Sequence, residues 1–182
     1  YMHFEDTQPY EANFWSGNNI SLLYDHVTQI DFSKQQLTLK KFESHIGYDR
    51  LIIATGSKSN FYGWKGQDLK GVQGLYSRQD LQLMEENTKN CKRAVVIGGG
   101  LIGIEMTEML LSRGISVDFL VRENFFWGSV LPQEDSLLLM EHFKKHHGLT
   151  MHYGEEVEEF IGEHHLERII TKKGTIIETN FA

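Results

Sequence analysis

The sequence predicts an α/β fold: a parallel sheet with crossover helices and a closing β-meander, preceded by a small, mostly antiparallel β portion. Two observations carry this. From Ala94 onward, strand-like and helix-like segments alternate as β-α-β-α-β, a pattern that implies parallel strands joined by right-handed crossovers. Before Thr55, short apolar runs follow one another across polar turns, as in an antiparallel meander. The composition is that of a folded chain: 182 residues, 40% hydrophobic and 24% charged, with 2 prolines.

Each element has its own signal. Residues 20–24 form a brief β-rich run, 27–32 and 36–40 alternate, and 48–54 ends in an apolar run that reads as a buried strand. The connections at 31–34 and 43–45 are polar and turn-like. Residues 56–76 contain Gly56, Gly63, Gly66, Gly71 and Gly74 among aromatic residues, which suits an irregular but ordered connection. Ser77-Arg78-Gln79-Asp80 has the form of a capping box, opening a helix through about Glu86 with Leu81, Leu83 and Met84 as its apolar residues. Residues 94–97 form a strand and 104–113 a helix with Ile104, Met106, Met109, Leu110 and Leu111 on its apolar face. Gly114 stops that helix, and 115–121 is the next strand. Pro132 opens a second crossover helix through Leu137, Leu138, Leu139, Met140 and Phe143. Lys144, Lys145, His146 and His147 then set positive charge at its negative end. Residues 149–153 make a third strand. From 155 the pattern is antiparallel: 157–161, 166–171, a Lys172-Lys173-Gly174 turn, and 175–179.

Several function classes are excluded at this level. Lys and Arg number 18 against 25 Asp and Glu, so 18 − 25 leaves −7, and there is no basic run. Nucleic acid and anionic membrane surfaces are therefore not expected partners, since both require local positive charge. No apolar run approaches the ~18–20 residues that span a bilayer. Cys91 is alone, which rules out an intrachain disulfide, a CxxC redox pair and a cysteine zinc site, and fits a reducing, cytoplasmic setting. His142 and His146 lie four apart, with further pairs at His146-His147 and His164-His165. The helix dipole and a hairpin turn account for these placements, so no metal is expected. The chain opens on Tyr1 without a signal-peptide pattern and ends at Asn180-Phe181-Ala182, so it reads as a segment of a longer protein.

The strongest chemical signal is Gly98-x-Gly100-x-x-Gly103, placed after one strand and opening one helix. In a dinucleotide-binding turn each glycine has a task. Gly98 permits the tight turn, Gly100 lets the backbone approach a pyrophosphate, and Gly103 lets the helix pack on the strand. The phosphates would lie against unpaired amides at the positive end of the helix. The plainer alternative is a glycine-rich βα turn without a ligand. Adenosine ribose is normally read at the end of the following strand, where this sequence has Arg122 and Glu123. Arg122 suits a 2′-phosphate and Glu123 a 2′-hydroxyl, so the choice between NADH and NADPH stays open.

Two segments, Val95-Val96-Ile97-Gly98-Gly99-Gly100-Leu101-Ile102-Gly103-Ile104-Glu105 and Tyr48-Asp49-Arg50-Leu51-Ile52-Ile53-Ala54-Thr55-Gly56-Ser57, carry a family resemblance. In order and spacing they resemble the FAD-dependent pyridine nucleotide-disulfide oxidoreductase superfamily over about residues 18–182. The likeness is greatest to the NAD(P)H:ferredoxin or rubredoxin reductase and nitrite reductase type, which lacks a redox disulfide. The resemblance implies a Rossmann-like NAD(P)-binding domain at 89–182, truncated at its last strand, and a partial FAD-binding domain at 1–88. It places Val27 against the FAD adenine and Ala54, Thr55 and Gly56 along the FAD phosphate and ribose. Gly98, Gly99, Gly100, Leu101, Ile102 and Gly103 would hold the NAD(P)H pyrophosphate, and Glu105 would sit near the nicotinamide. Hydride would pass from NAD(P)H to FAD and electrons onward to an acceptor protein, an attached domain or a small molecule. No side chain of this segment need act as acid, base or nucleophile.

The sequence also departs from that family. Val121 stands where the strand-end acid falls, Arg122 resembles the NADPH-selective members, and Phe125-Phe126-Trp127 replaces the second arginine. The N-terminal GxGxxG and the C-terminal Gly-Asp segment of the FAD domain are both absent. The expectation is a middle segment that does not hold FAD by itself. The alternative function is a non-catalytic NAD(H)-binding sensor or regulatory module.

Overall fold

The computed structural model describes residues 4–182 and divides the chain into two compact units, one ending at Thr55 and the other starting at Gly56. In the first unit a 3-10 turn, Phe4–Thr7, and a short helix α1, Ala12–Gly17, precede three strands. These are β1 (Val27–Asp31), β2 (Gln36–Leu39) and β3 (His45–Gly47), paired antiparallel in the order β1-β2-β3. Asp31 closes the first turn by accepting hydrogen bonds from the Ser33 and Lys34 amides and the Ser33 hydroxyl. Asp25 accepts the Lys41 and Phe42 amides and so fixes the far side of β2.

The short helix α1 carries no sequence signal beyond Phe14 and Trp15, and Tyr10, just before it, stacks on Phe14 at 4.0 Å. Three expectations for this unit are corrected. His45 belongs to β3, not to the turn before it. Residues 20–24 and 48–54 form no strand, and Ile52 is 88% exposed. An apolar run becomes a strand only when a neighbour satisfies its amides and carbonyls. Neither run has such a neighbour among the described residues.

The second unit is the α/β portion. β4 (Arg93–Ile97), β5 (Ser116–Val121) and β6 (Leu149–Tyr153) form a parallel sheet in the order β4-β5-β6, with Val96 opposite Phe119 and Phe119 opposite Met151. α3 (Leu101–Ser112) connects β4 to β5, and α4 (Gln133–Phe143) lies between β5 and β6. α3 begins three residues earlier than its apolar pattern indicates, directly at the glycine turn. Pro132 is the N-cap of α4, and Lys144, Lys145, His146 and His147 follow the helix as C-cap and turn. The antiparallel meander is β7 (Val157–Ile161), β8 (Arg168–Thr171) and β9 (Ile176–Glu178).

The sheet is buried on both faces, as the short continuous apolar strands demand. On one face Ala94, Val96, Val117, Phe119 and Val121 pack with Leu110, Phe126 and Phe143. On the other, Val95 and Leu120 pack with Val157, Phe160, Leu166, Ile169 and Ile177 of the meander region. The free edge of β4 is met by the end of the chain: the Val95 amide donates to the Phe181 carbonyl at 2.9 Å. α2 (Arg78–Asn87) is capped as its sequence indicates, Ser77 Oγ accepting the Asp80 amide while Asp80 Oδ2 accepts the Ser77 amide. Only Met84 of its apolar residues is buried. The segment 56–76 packs with this unit. The Phe160 amide donates to the Lys65 carbonyl, the Leu166 amide to the Lys70 carbonyl, and Trp64 meets Phe160 edge-on.

Candidate functional site

β4 ends at Ile97 and delivers the chain into Gly98, whose φ of +115° is left-handed backbone that side chains resist. The Gly98 amide donates to the Leu120 carbonyl, extending the parallel ladder by one residue. A Cβ at Gly103 would lie 2.1 Å from the Gly98 carbonyl oxygen and 3.0 Å from the Phe119 ring, so the first turn of α3 rests directly on the glycine turn. A Cβ at Gly99 would lie 2.6 Å from a Val121 methyl. These three positions are glycine because the protein itself leaves no alternative.

Gly100 differs. Its φ is −100°, an ordinary value, and a Cβ there would meet nothing within 4 Å. It is the N-cap of α3 yet has no side chain to accept from the helix, and no acidic residue occupies the first turn. Helix starts of this kind leave amides unpaired and carry partial positive charge. The neighbouring Leu101 and Ile102 side chains are both exposed. The turn therefore presents open space, unpaired donors and positive potential together, a combination that fits an anionic group such as a pyrophosphate.

Glu105 is the fifth residue of α3, in its second turn, so a first-turn dipole preference does not account for it. It borders a cleft of about 360 Å³ that is mostly apolar, shared with Tyr76, Leu101, Ile102, Met106 and Met109. Tyr76 carries no motif signal, and only the folded chain brings it to α3.

At the end of β5, Val121 is fully buried over Gly99, so an apolar side chain fills the place of the strand-end acid. Arg122 and Glu123 do not stand apart as two independent readers. Arg122 Nη2 donates to Glu123 Oε1 at 2.9 Å. The chain after β6 crosses this strand end, its Gly154 and Glu155 amides donating to the Glu123 and Val121 carbonyls. Lys172 pairs with Glu156 at 2.8 Å, and this hydrogen bond, aided by the Lys172 and Arg122 charges, outweighs desolvation and holds that carboxyl below its usual range. Glu156 and Lys172 were not legible as neighbours of this strand end, because a sheet crossover and a hairpin separate them from it in sequence.

The residues matched to the FAD-type segment fall differently. Val27 is the first residue of β1, opposite Leu39 and 41% exposed. Ala54 and Thr55 are exposed, irregular and part of the first unit. Gly56 opens the second unit with φ +74°, and a Cβ on it would lie 2.4 Å from the Tyr76 hydroxyl.

One polar cluster escaped the sequence reading. Asp118 on β5 is 1% exposed and accepts hydrogen bonds from Arg93 on β4 and from His152 on β6, the latter at 2.7 Å. Burial pushes its carboxyl up, but the His152 and Arg93 hydrogen bonds outweigh this and hold it below the usual range. A lone acid inside the apolar run of β5 is the signal that marks it. It joins all three parallel strands and holds in place the sheet that presents the glycine turn. Among the described residues no group of three or more His, Cys, Asp or Glu side chains is placed to hold a metal ion, and no helix is long and apolar enough to cross a membrane.

The family model described as pyridine nucleotide-disulphide oxidoreductase matches residues 4–181. Nitrite reductase [NAD(P)H] of Bacillus subtilis strain 168 is 32% identical over 169 residues, which is 92% of this chain and 21% of that protein. Among solved structures, a ferredoxin reductase from Rhodopseudomonas palustris superposes with a TM-score of 0.87 at 23% identity, covering 94% of this chain and 42% of that one. An engineered NADPH oxidase derived from the Lactobacillus brevis water-forming NADH oxidase superposes at 0.77 with 25% identity, over 86% of this chain and 35% of that one. The chain thus spans less than half the length of each. With a match over nearly its whole length, the chain belongs to the pyridine nucleotide-disulphide oxidoreductase family.

Proposed function

We propose that this chain seats the pyridine nucleotide of a flavin-dependent oxidoreductase, with the Gly98–Gly103 turn and the start of α3 holding the pyrophosphate. The observation that carries this is Gly100, the one glycine of the turn that neither its own backbone angle nor any protein atom requires. A glycine that the protein does not need is explained by a ligand whose backbone approach it permits. When bound, the nicotinamide supplies a hydride and FAD receives it, and electrons pass on to an acceptor. The chain's own residues bind, orient and exclude water.

On this reading the sugar bearing the adenine lies toward Val121, Arg122 and Glu123, and the nicotinamide toward Glu105. The engineered NADPH oxidase carries, among its five substitutions, an aspartate replaced by alanine and the next residue, alanine, by arginine. This chain has an apolar residue followed by arginine at Val121-Arg122, which supports acceptance of NADPH alongside NADH. Val27, Ala54, Thr55 and Gly56 line FAD in the intact protein, with residues 1–88 as its FAD-type portion and 89–182 as its NAD(P)-binding domain. The setting is cytoplasmic. The acceptor is a small redox protein or domain, a proposal favoured by the fold shared with a ferredoxin reductase and with a reductase crystallised in covalent complex with putidaredoxin.

The test is calorimetric titration of the oxidised coenzymes into the protein and its Gly100→Val variant. A Cβ at 100 meets nothing within 4 Å in the free protein, so stability should fall by no more than the roughly 1 kcal/mol of a poorer N-cap, while affinity falls at least about tenfold, or about 1.4 kcal/mol. Unchanged affinity would refute the seat.

A further inference from the structure

The cleft beside α3 has one wall whose placement nothing in the glycine turn explains. Tyr76 is 54% exposed, yet it is held at both ends. Its amide donates to Asp80 Oδ2, which ties its backbone to the capped start of α2. Its phenol oxygen accepts the Ser57 amide at 2.8 Å. The hydroxyl reaches that amide only because residue 56 lacks a side chain, a Cβ there falling 2.4 Å from the phenol oxygen. A half-exposed tyrosine is ordinarily free to change rotamer. This one is fixed, with its ring lining an apolar cleft of about 360 Å³ whose opposite side is the exposed face of α3 at Leu101, Ile102 and Glu105.

The cleft begins at the two residues that follow Gly100. Any dinucleotide with its pyrophosphate at Gly100 has one sugar and base leading toward β5 and the other leading away along α3. A rigid aromatic wall facing apolar side chains suits a flat ring, and the single carboxylate of Glu105 suits one that becomes cationic on oxidation. We infer that Tyr76 is a binding residue for the nicotinamide ring, and that the Ser57 amide holds its phenol in place as a preformed wall. This rests on the proposed pyrophosphate seat, but it assigns a contact that the glycine motif does not contain.

The test uses the intact protein and pairs each oxidised coenzyme with the fragment that lacks nicotinamide: NAD⁺ with ADP-ribose, and NADP⁺ with 2′-phospho-ADP-ribose. Tyr76→Ala removes the wall and should weaken both whole coenzymes at least about fivefold, the lower end for loss of one aromatic stacking partner. Tyr76→Phe keeps the ring but loses the anchor, and should weaken them about two- to tenfold, the net effect of one hydrogen bond. Hydrogen exchange at the Ser57 amide should quicken in both variants. The fragments should bind both variants as they bind the unaltered protein, which also shows that the variants are folded. Equal losses for coenzyme and fragment would reduce Tyr76 to a structural role, and unchanged coenzyme affinity in Tyr76→Ala would remove it from the site. Either result overturns the inference while leaving the seat intact. Failure of the fragments to bind the unaltered protein would instead overturn the seat, and the inference with it.

Discussion

Leu51-Ile52-Ile53-Ala54 and Ala94-Val95-Val96-Ile97 are almost the same kind of sequence, four apolar residues rich in β-branched side chains. Their fates are opposite. Val95 is 1% exposed, whereas Ile52 is 88% exposed. β4 has β5 on one edge, the Phe181 carbonyl on the other, and a packed layer on each face. Residues 51–54 have no ladder partner among the described residues. The whole first unit shares this condition, with Leu39 as its only core side chain among the described residues. The lesson is that an apolar β-type run specifies that it will be covered, not by what. The second unit carries its own covering layers. In the proposed reading, the cover for the first is the remainder of an FAD-type domain.

The contrast can be broken most forcefully by core truncation. Phe119 lies at the centre of the parallel sheet, wholly buried under α3 and against Phe126. Phe119→Ala should cost about 3–5 kcal/mol of stability, the range for deleting a buried aromatic ring. Ile52→Ala in the same chain should stay within about 0.5 kcal/mol, as for an exposed position. Urea titration monitored by far-ultraviolet dichroism measures both. A cost at Ile52 as large as that at Phe119 would mean that residues 51–54 are covered in this chain after all.

A second test exploits charge within the second unit. Asp118 is a buried carboxylate that joins β4, β5 and β6, and its pKa is lowered by His152 and Arg93 despite burial. A carboxyl depressed in the folded state adds stability that is full above its unfolded value of ~3.9 and is lost as pH falls through the lower folded value. Asp118→Asn should therefore cost about 1–3 kcal/mol at neutral pH, a buried hydrogen-bonding loss reduced because Arg93 is half exposed. It should also flatten the fall in urea midpoint between pH 5 and 2 (an interval chosen around ~3.9). An acid limb as steep as that of the unaltered chain would remove Asp118 as its source.

What the sequence disclosed follows from the range of the forces involved. The capping box at Ser77 and Asp80 is a contact three residues apart, and it appears as written. The β-α-β frame around Gly98 depends on periodicity and on glycine conformations, both local, and its strands fall within a residue of their expected limits. Residues 48–54 misled because their strand depends on a partner, which is not a local property. The same limit hid the cleft and the polar cluster. Tyr76 meets α3 and Asp118 meets His152 only through tertiary packing, and no spacing rule joins them. At the strand end, the sequence set Arg122 and Glu123 side by side but could not show that each is the other's partner.

That pairing governs the smallest expected effect. Arg122 is largely exposed and Glu123 partly so, so their ion pair contributes little to stability, and Arg122→Ala should leave melting nearly unchanged. Its consequence lies in selection. A 2′-phosphate reaching Arg122 competes with Glu123 for the same guanidinium, whereas a 2′-hydroxyl asks nothing of it and finds an acceptor in the carboxylate. Arg122→Ala should therefore weaken NADPH by about three- to tenfold, less than a full hydrogen bond to a charged group because the guanidinium is exposed and already shared with Glu123, and NADH hardly at all. Glu123→Gln should act in the opposite sense, releasing Arg122 for the phosphate and shifting the ratio of affinities toward NADPH. Equal losses for both coenzymes in Arg122→Ala would show that this strand end does not choose between them, and selection would then fall to Glu156 and Lys172, which face it from the meander.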